Sequence, residues 1–115
     1  YIGMTFTEKE NVTQIIGGGN ATNPEFKIPP GDADHVVKSS EKARQDFTLL
    51  SVSPHMHLRG KSFRYDLKYP DGREETLLDV PNYDFNWQLR YEFAEPLHVP
   101  KGSALVCTAV FDDSE

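Results

Sequence analysis

At 115 residues, 37% of them hydrophobic, the chain is long enough to bury the core of a single domain without a metal or disulfide staple. Its twelve Lys and Arg are scattered among eighteen Asp and Glu, for a formal charge of −6, so no basic stripe awaits phosphates and nucleic acid is not an expected partner. No apolar run approaches the roughly 18 residues of a membrane-spanning helix, and no charged-then-apolar leader opens the chain.

In chain order, Tyr1 to Phe6 and Val12 to Ile16 read as candidate strands separated from the rest by the flexible break Gly17-Gly18-Gly19. That glycine run lacks the following Gly-Lys-Ser/Thr of a phosphate loop and a helix for a phosphate to cap. Residues 1–25 read as a linker or the remnant of a preceding domain, and Phe26 to Gly31 as a short extended piece ending in a turn. Ser39 to Gln45 has helical composition, enough for one or two turns capped by Ser39 or Ser40. Asp46 to Ser53 is an apolar strand-like run leading into Ser53-Pro54-His55-Met56-His57-Leu58-Arg59-Gly60-Lys61.

From Ser62 to Tyr69 polar and apolar residues alternate without a fault, which turns Phe63, Tyr65, Leu67 and Tyr69 inward from a half-buried strand. Pro70-Asp71-Gly72 closes a hairpin, with Glu75 to Val80 returning antiparallel. Tyr83-Asp84-Phe85-Asn86-Trp87-Gln88 sets three aromatics among polar side chains, as a binding loop or a buried corner would. Leu89, Tyr91 and Phe93 alternate again, Pro100-Lys101-Gly102 turns the chain, and Ser103 to Phe111 is apolar enough for a strand buried on both faces. Seven or eight short strands at turn-punctuated spacing predict one all-β domain over 1–115, an antiparallel β-sandwich or jelly roll. The single Cys107 reads as a small buried hydrophobe.

The chemistry-bearing motif is His55-Met56-His57. Continued as a strand, it projects both histidines from one face, about 7 Å apart at Cα, and sends Met56 into the core. Two imidazoles can then converge on one ion, and neutral imidazole suits copper, zinc, iron or nickel alike. His35 and His98 lie in turn-like sequence and read as solvated surface histidines. No paired-carboxylate or Ser/His/Asp spacing supports hydrolytic catalysis. The cupin pattern wants a glutamate shortly after its second histidine, where this chain has Leu58-Arg59-Gly60-Lys61.

Taken together, His55-Met56-His57-Leu58-Arg59-Gly60-Lys61, the hairpin Tyr65 to Leu78, the Pro100-Lys101-Gly102 turn and the strand through Cys107 resemble one family. It is the C-terminal domain of the copper type II, ascorbate-dependent monooxygenases, the family of dopamine β-monooxygenase and peptidylglycine α-hydroxylating monooxygenase. The likeness is closest to bacterial relatives, where Tyr83 to Gln88 also looks similar, and covers roughly Phe26 to Ser114.

The resemblance implies a jelly-roll-like sandwich in which His55 and His57 supply two of three ligands to the oxygen-activating copper of a C–H hydroxylase. It further implies a methionine as third ligand on a later strand, beyond Glu115, and a preceding copper domain that feeds electrons from ascorbate. An extracytoplasmic, periplasmic or secreted location goes with it. The start at Tyr1 and the stop at Asp112-Asp113-Ser114-Glu115 straight after an apolar strand fit that expectation of neighbouring sequence, and the chain alone is expected to be inactive. Peptide-amidating members carry an arginine where this chain has Ser53, which weighs against peptide C-termini as substrates. In animal members the cysteine matching Cys107 pairs with one near the third ligand, and in this chain it has no partner. The alternative is a non-catalytic β-sandwich, an interaction or structural module whose histidines are vestigial.

Overall fold

Period-two alternation is realised where it finds a partner strand. The computed structural model describes residues 1–114 and contains six strands: β1 (His35–Lys42), β2 (Phe47–Val52), β3 (Gly60–Lys68), β4 (Glu74–Val80), β5 (Tyr91–Val99) and β6 (Ala104–Phe111). All pair antiparallel, in a four-stranded sheet of order β1-β6-β3-β4 and a two-stranded sheet of β2 and β5. Among the described residues there is no α-helix, only a 3-10 turn at Lys9–Asn11.

The two sheets share a core, which makes the arrangement a four-plus-two sandwich. Phe63 and Tyr65 from β3, Cys107, Ala109 and Phe111 from β6 and Val37 from β1 are buried together with Val52 of β2, and half-buried Leu49, Tyr91 and Phe93 pack against them. Leu67, Tyr69 and Val99 form a second cluster, closed by Leu49, Leu77, Leu97 and Ala43. The four inward residues expected from Ser62 to Tyr69 are thus all in the core. No residue of β6 is fully exposed, as a strand flanked on both sides and covered on one face requires.

The hairpin between β3 and β4 forms as expected, with the positive φ confined to Gly72 (88°). Gly72 N–H donates to the Tyr69 carbonyl at 3.0 Å and Tyr69 N–H to that of Arg73 at 2.8 Å. Farther up, a register shift sets Tyr65 opposite Leu78 but Asp66 opposite Thr76, leaving Leu77 as the extra residue of a bulge. Both leucines are consequently half-buried.

Three expectations are corrected. Ser39 to Gln45 is no helix: Ser39 to Lys42 belong to β1, where Ser39 opposes Cys107 and Lys42 opposes Ala104. An isolated helix of two turns is marginal in water, whereas in β1 residues 39–42 all find register partners on the central strand β6. Tyr1 to Phe6 and Val12 to Ile16 are not strands; Ile2, Met4, Phe6, Ile15 and Ile16 are largely exposed, and neither segment joins a sheet edge whose ladder would hold it extended. Among the described residues six strands form rather than seven or eight.

Cys107 and Tyr65 are directly opposed across β6 and β3, and burial pushes both the thiol and the phenol above their ordinary ranges. The folded chain therefore holds these protons to higher pH than the unfolded chain does, so their contribution is intact below the unfolded values and is lost as pH rises through the folded ones. Urea denaturation from mildly to strongly alkaline pH should show stability falling, beginning near the free-thiol value of about 8.5 and steepening near about 10 as phenols join. Cys107→Ala should remove the first part of that fall, and a stability flat across the range for wild type would contradict the assignment.

Candidate metal centre

The ladder of β2 ends at Val52, which pairs with Tyr91, the first residue of β5; residues 84–90 offer no strand beyond it. Pro54, which has no N–H to donate, follows two residues later. His55 and His57 therefore lie on a segment past the strand end and not on the strand itself. Alternation nevertheless persists: Pro54 and Met56 are buried, while Ser53, His55 and His57 are exposed. Met56, at 3% exposure, is the core residue expected of it.

What replaces the ladder is Tyr83. Its hydroxyl accepts from Met56 N–H at 2.9 Å and donates to the Met56 carbonyl at 2.8 Å, so one phenol satisfies both backbone groups of a buried residue. The chain then reverses through His57-Leu58-Arg59-Gly60, with Gly60 N–H donating to the His57 carbonyl at 2.9 Å. A methyl group at Gly60 would stand 2.7 Å from Tyr83 Cδ1 and 3.0 Å from Met56 Cβ, so only glycine lets the turn lie against that ring. Downstream, Arg59 C=O accepts from Asp112 N–H, Lys61 C=O accepts from Tyr83 N–H, and the Lys61 ammonium reaches Asp34 at 2.6 Å.

On this platform the two imidazoles stand edge to face, ring centres 5.3 Å apart and planes at 80°. A metal–nitrogen bond of about 2 Å from each ring lets one ion bridge rings whose centres lie within roughly 6 Å. His55 Nδ1 lies 2.5 Å from Gln88 Oε1, and Gln88 Nε2 donates to the Phe85 carbonyl at 2.7 Å. The segment carrying Gln88 is itself ordered by Asp84, whose carboxylate accepts from Asn86 N–H at 2.8 Å and whose carbonyl accepts from Trp87 N–H at 2.9 Å. The sequence left this segment between a binding loop and a buried corner; Tyr83 packs on the core, while Phe85 and Trp87 are 38% and 66% exposed.

Beside the imidazoles lies a shallow depression of about 180 Å³, lined by Phe26, Met56 and Phe111 together with the histidines. Phe26 stacks on Phe111 at 5.1 Å between ring centres, which ties the expected extended piece at Phe26 to Gly31 to the end of β6. The pair thus borders an apolar wall on one side and water on the other.

Among the described residues no group of three or more His, Cys, Asp or Glu converges. His35 is only partly exposed, with Nδ1 3.1 Å from Asp32 Oδ2, and so is less solvated than expected. His98 is exposed on β5 opposite Thr48. Met4 is exposed near the start of the chain, and Cys107 is a free buried thiol. Tyr83 and Gln88 are the residues of the candidate site that spacing did not single out individually, since they sit 27 and 33 residues from their partners. Comparison with protein-family models, curated proteins and solved structures finds no match to the chain.

Tyr83→Phe leaves the buried Met56 N–H and C=O without partners and should cost about 1–3 kcal/mol in urea denaturation. Gly60→Ala should cost a similar amount, about 1–3 kcal/mol, through overpacking against Tyr83. His55→Ala and His57→Ala, at exposed positions, should stay within about 0.5 kcal/mol of wild type. A large loss from the histidine variants would mean that the pair holds the fold.

Proposed function

We propose that this chain is the oxygen-activating copper half of a type II, ascorbate-dependent monooxygenase-like protein, with His55 and His57 as two of the copper ligands. On this reading the four-plus-two sandwich is the jelly-roll-like domain of that family. The observation that carries the proposal is the pair itself: two exposed imidazoles 5.3 Å apart on a segment whose intervening Met56 is locked into the core. Imidazole nitrogens with no carboxylate completing a group of three among the described residues suit copper, zinc or nickel rather than calcium or magnesium. The family resemblance selects copper among these.

Copper held here would supply one-electron chemistry for dioxygen activation, with ascorbate as reductant. The chain's own residues have simpler tasks. His55 and His57 present nitrogen donors, buried Pro54 and Met56 hold the segment that carries them to the core, and Phe26 and Phe111 form an apolar wall on one flank. Two donors fall short of the three or four of a closed site, so the remaining positions fall to water or to a donor from elsewhere. The exposed Phe85 and Trp87 beside Gln88 would face the preceding copper domain. That same exposed aromatic pair also favours the rival reading, an interaction module with vestigial histidines.

Trp87 is the sole tryptophan and directly precedes Gln88, so its emission reports on the pair. Cu(II) should quench it saturably in wild type, and the electron paramagnetic resonance spectrum should show nitrogen coordination. The double variant His55→Ala, His57→Ala should lose both signals. Identical titrations and spectra for the two proteins would sink the copper reading and leave the interaction module. A strong chelator should reverse the quenching without lowering the thermal midpoint, because the core contains no metal-dependent contact.

A further inference from the structure

We propose that Gln88 is a positioning residue that fixes which nitrogen of His55 is available to a metal; this rests on the metal-binding reading of the pair. The Gln88 side chain has one accepting oxygen and one donating NH2, and its NH2 group is committed to the Phe85 carbonyl at 2.7 Å, a group that can only accept. That commitment fixes the orientation of the amide. Its oxygen is thereby the atom turned toward His55 Nδ1, at 2.5 Å. An oxygen acceptor facing a ring nitrogen requires an N–H there, so Nδ1 carries the proton and Nε2 carries the lone pair on the far edge of the ring.

This is the opposite of the tautomer that a free imidazole side chain prefers. Gln88 can impose it because it is itself held: Phe85 belongs to the loop that Asp84 orders through Asn86 and Trp87, and that loop is anchored at Tyr83 to Lys61 and Met56. His57 differs. Its ring contacts His55 edge to face, but neither of its ring nitrogens has a hydrogen-bond partner among the described residues. The two ligands are therefore unequal: His55 is oriented in advance through Nε2, and His57 is free to turn about its side-chain bonds and adapt.

Metal-bound histidines commonly donate their second N–H to a fixed acceptor, and loss of that acceptor typically lowers metal affinity about 10–100-fold. The decisive measurement needs no metal. Long-range 15N–1H correlation spectra of the imidazoles, recorded under mildly alkaline conditions on the metal-free full chain, report which nitrogen carries the proton. Wild type should show His55 protonated on Nδ1, and Gln88→Leu should shift it toward Nε2–H. His57 should be unchanged in both. Cu(II) titration followed by Trp87 emission should then show about a 10–100-fold weaker midpoint for Gln88→Leu. An unchanged His55 tautomer in Gln88→Leu overturns the positioning role. The expected tautomer switch with no Cu(II) binding by wild type supports Gln88's hold on the ring while overturning the metal reading.

Discussion

A chain that leaves a β-ladder must find other partners for its backbone, and at Met56 a single phenol provides both. The two bonds between the Tyr83 hydroxyl and Met56 keep residues 53–57 in an extended, alternating path after the strand has ended. That path puts Pro54 and Met56 into the core and both histidines into solvent. The same tyrosine makes Gly60 obligatory by lying where a side chain would begin, and through its own N–H to Lys61 it brings the following loop alongside. Gln88 reaches His55 only because that loop is brought there. Floor, turn and buttress of the histidine pair are thus one connected set of contacts, centred on a residue whose hydroxyl is spent on Met56 and not on either imidazole.

Which way the pair faces is decided earlier, in the register of β2 against β5. Leu49 pairs with Leu97, but Ser51 pairs with Glu92, so residues 93–96 of β5 stand against Leu50 alone. Pro96, without an N–H, sits in that irregularity, where no ladder bond is required of it. Across it the burial changes phase: Leu49 is half-buried and Leu50 exposed, then Val52, Pro54 and Met56 are buried. Had the phase of Leu49 been kept, Ser53, His55 and His57 would have pointed to its side, since a slip of one residue exchanges the faces of a strand. The irregularity is what turns the imidazoles outward.

The sequence was most readable where the determinants are local. Alternation from Ser62 to Tyr69, the Asp71-Gly72 turn and the apolar run ending at Phe111 each announce their state within a few residues, and the structure forms a strand, a hairpin and a central strand there. Met56 was readable for the same reason, because period two separates it from its neighbours. Ser39 to Gln45 misled because its weak helical composition competes with a partner, Cys107, that lies in the last strand. Ile2, Met4 and Phe6 misled in the opposite sense, alternating without any strand to pair with. At the candidate site the His-x-His spacing revealed the pair, but Tyr83 and Gln88 join it only through tertiary contacts, and no local pattern marks a residue as the acceptor for a distant imidazole.

The charge balance bears on the donor set as well. With eighteen carboxylates in 115 residues, a histidine pair on this surface could readily have acquired an acidic neighbour. The acids around the turn are instead engaged by the two cations of the motif itself and by Ser114. Arg59 Nε lies 3.0 Å from Asp113, Lys61 holds Asp34 at 2.6 Å, and Asp112 accepts from the N–H and hydroxyl of Ser114, which keeps its carboxyl below the ordinary carboxylate range. These exposed pairs contribute little to stability. Their consequence is chemical: among the described residues no carboxylate completes a group of three with the imidazoles, which stand beside the apolar wall of Phe26 and Phe111. On the metal-binding reading, such a donor set would favour the borderline metals that imidazole binds over hard, oxygen-seeking cations.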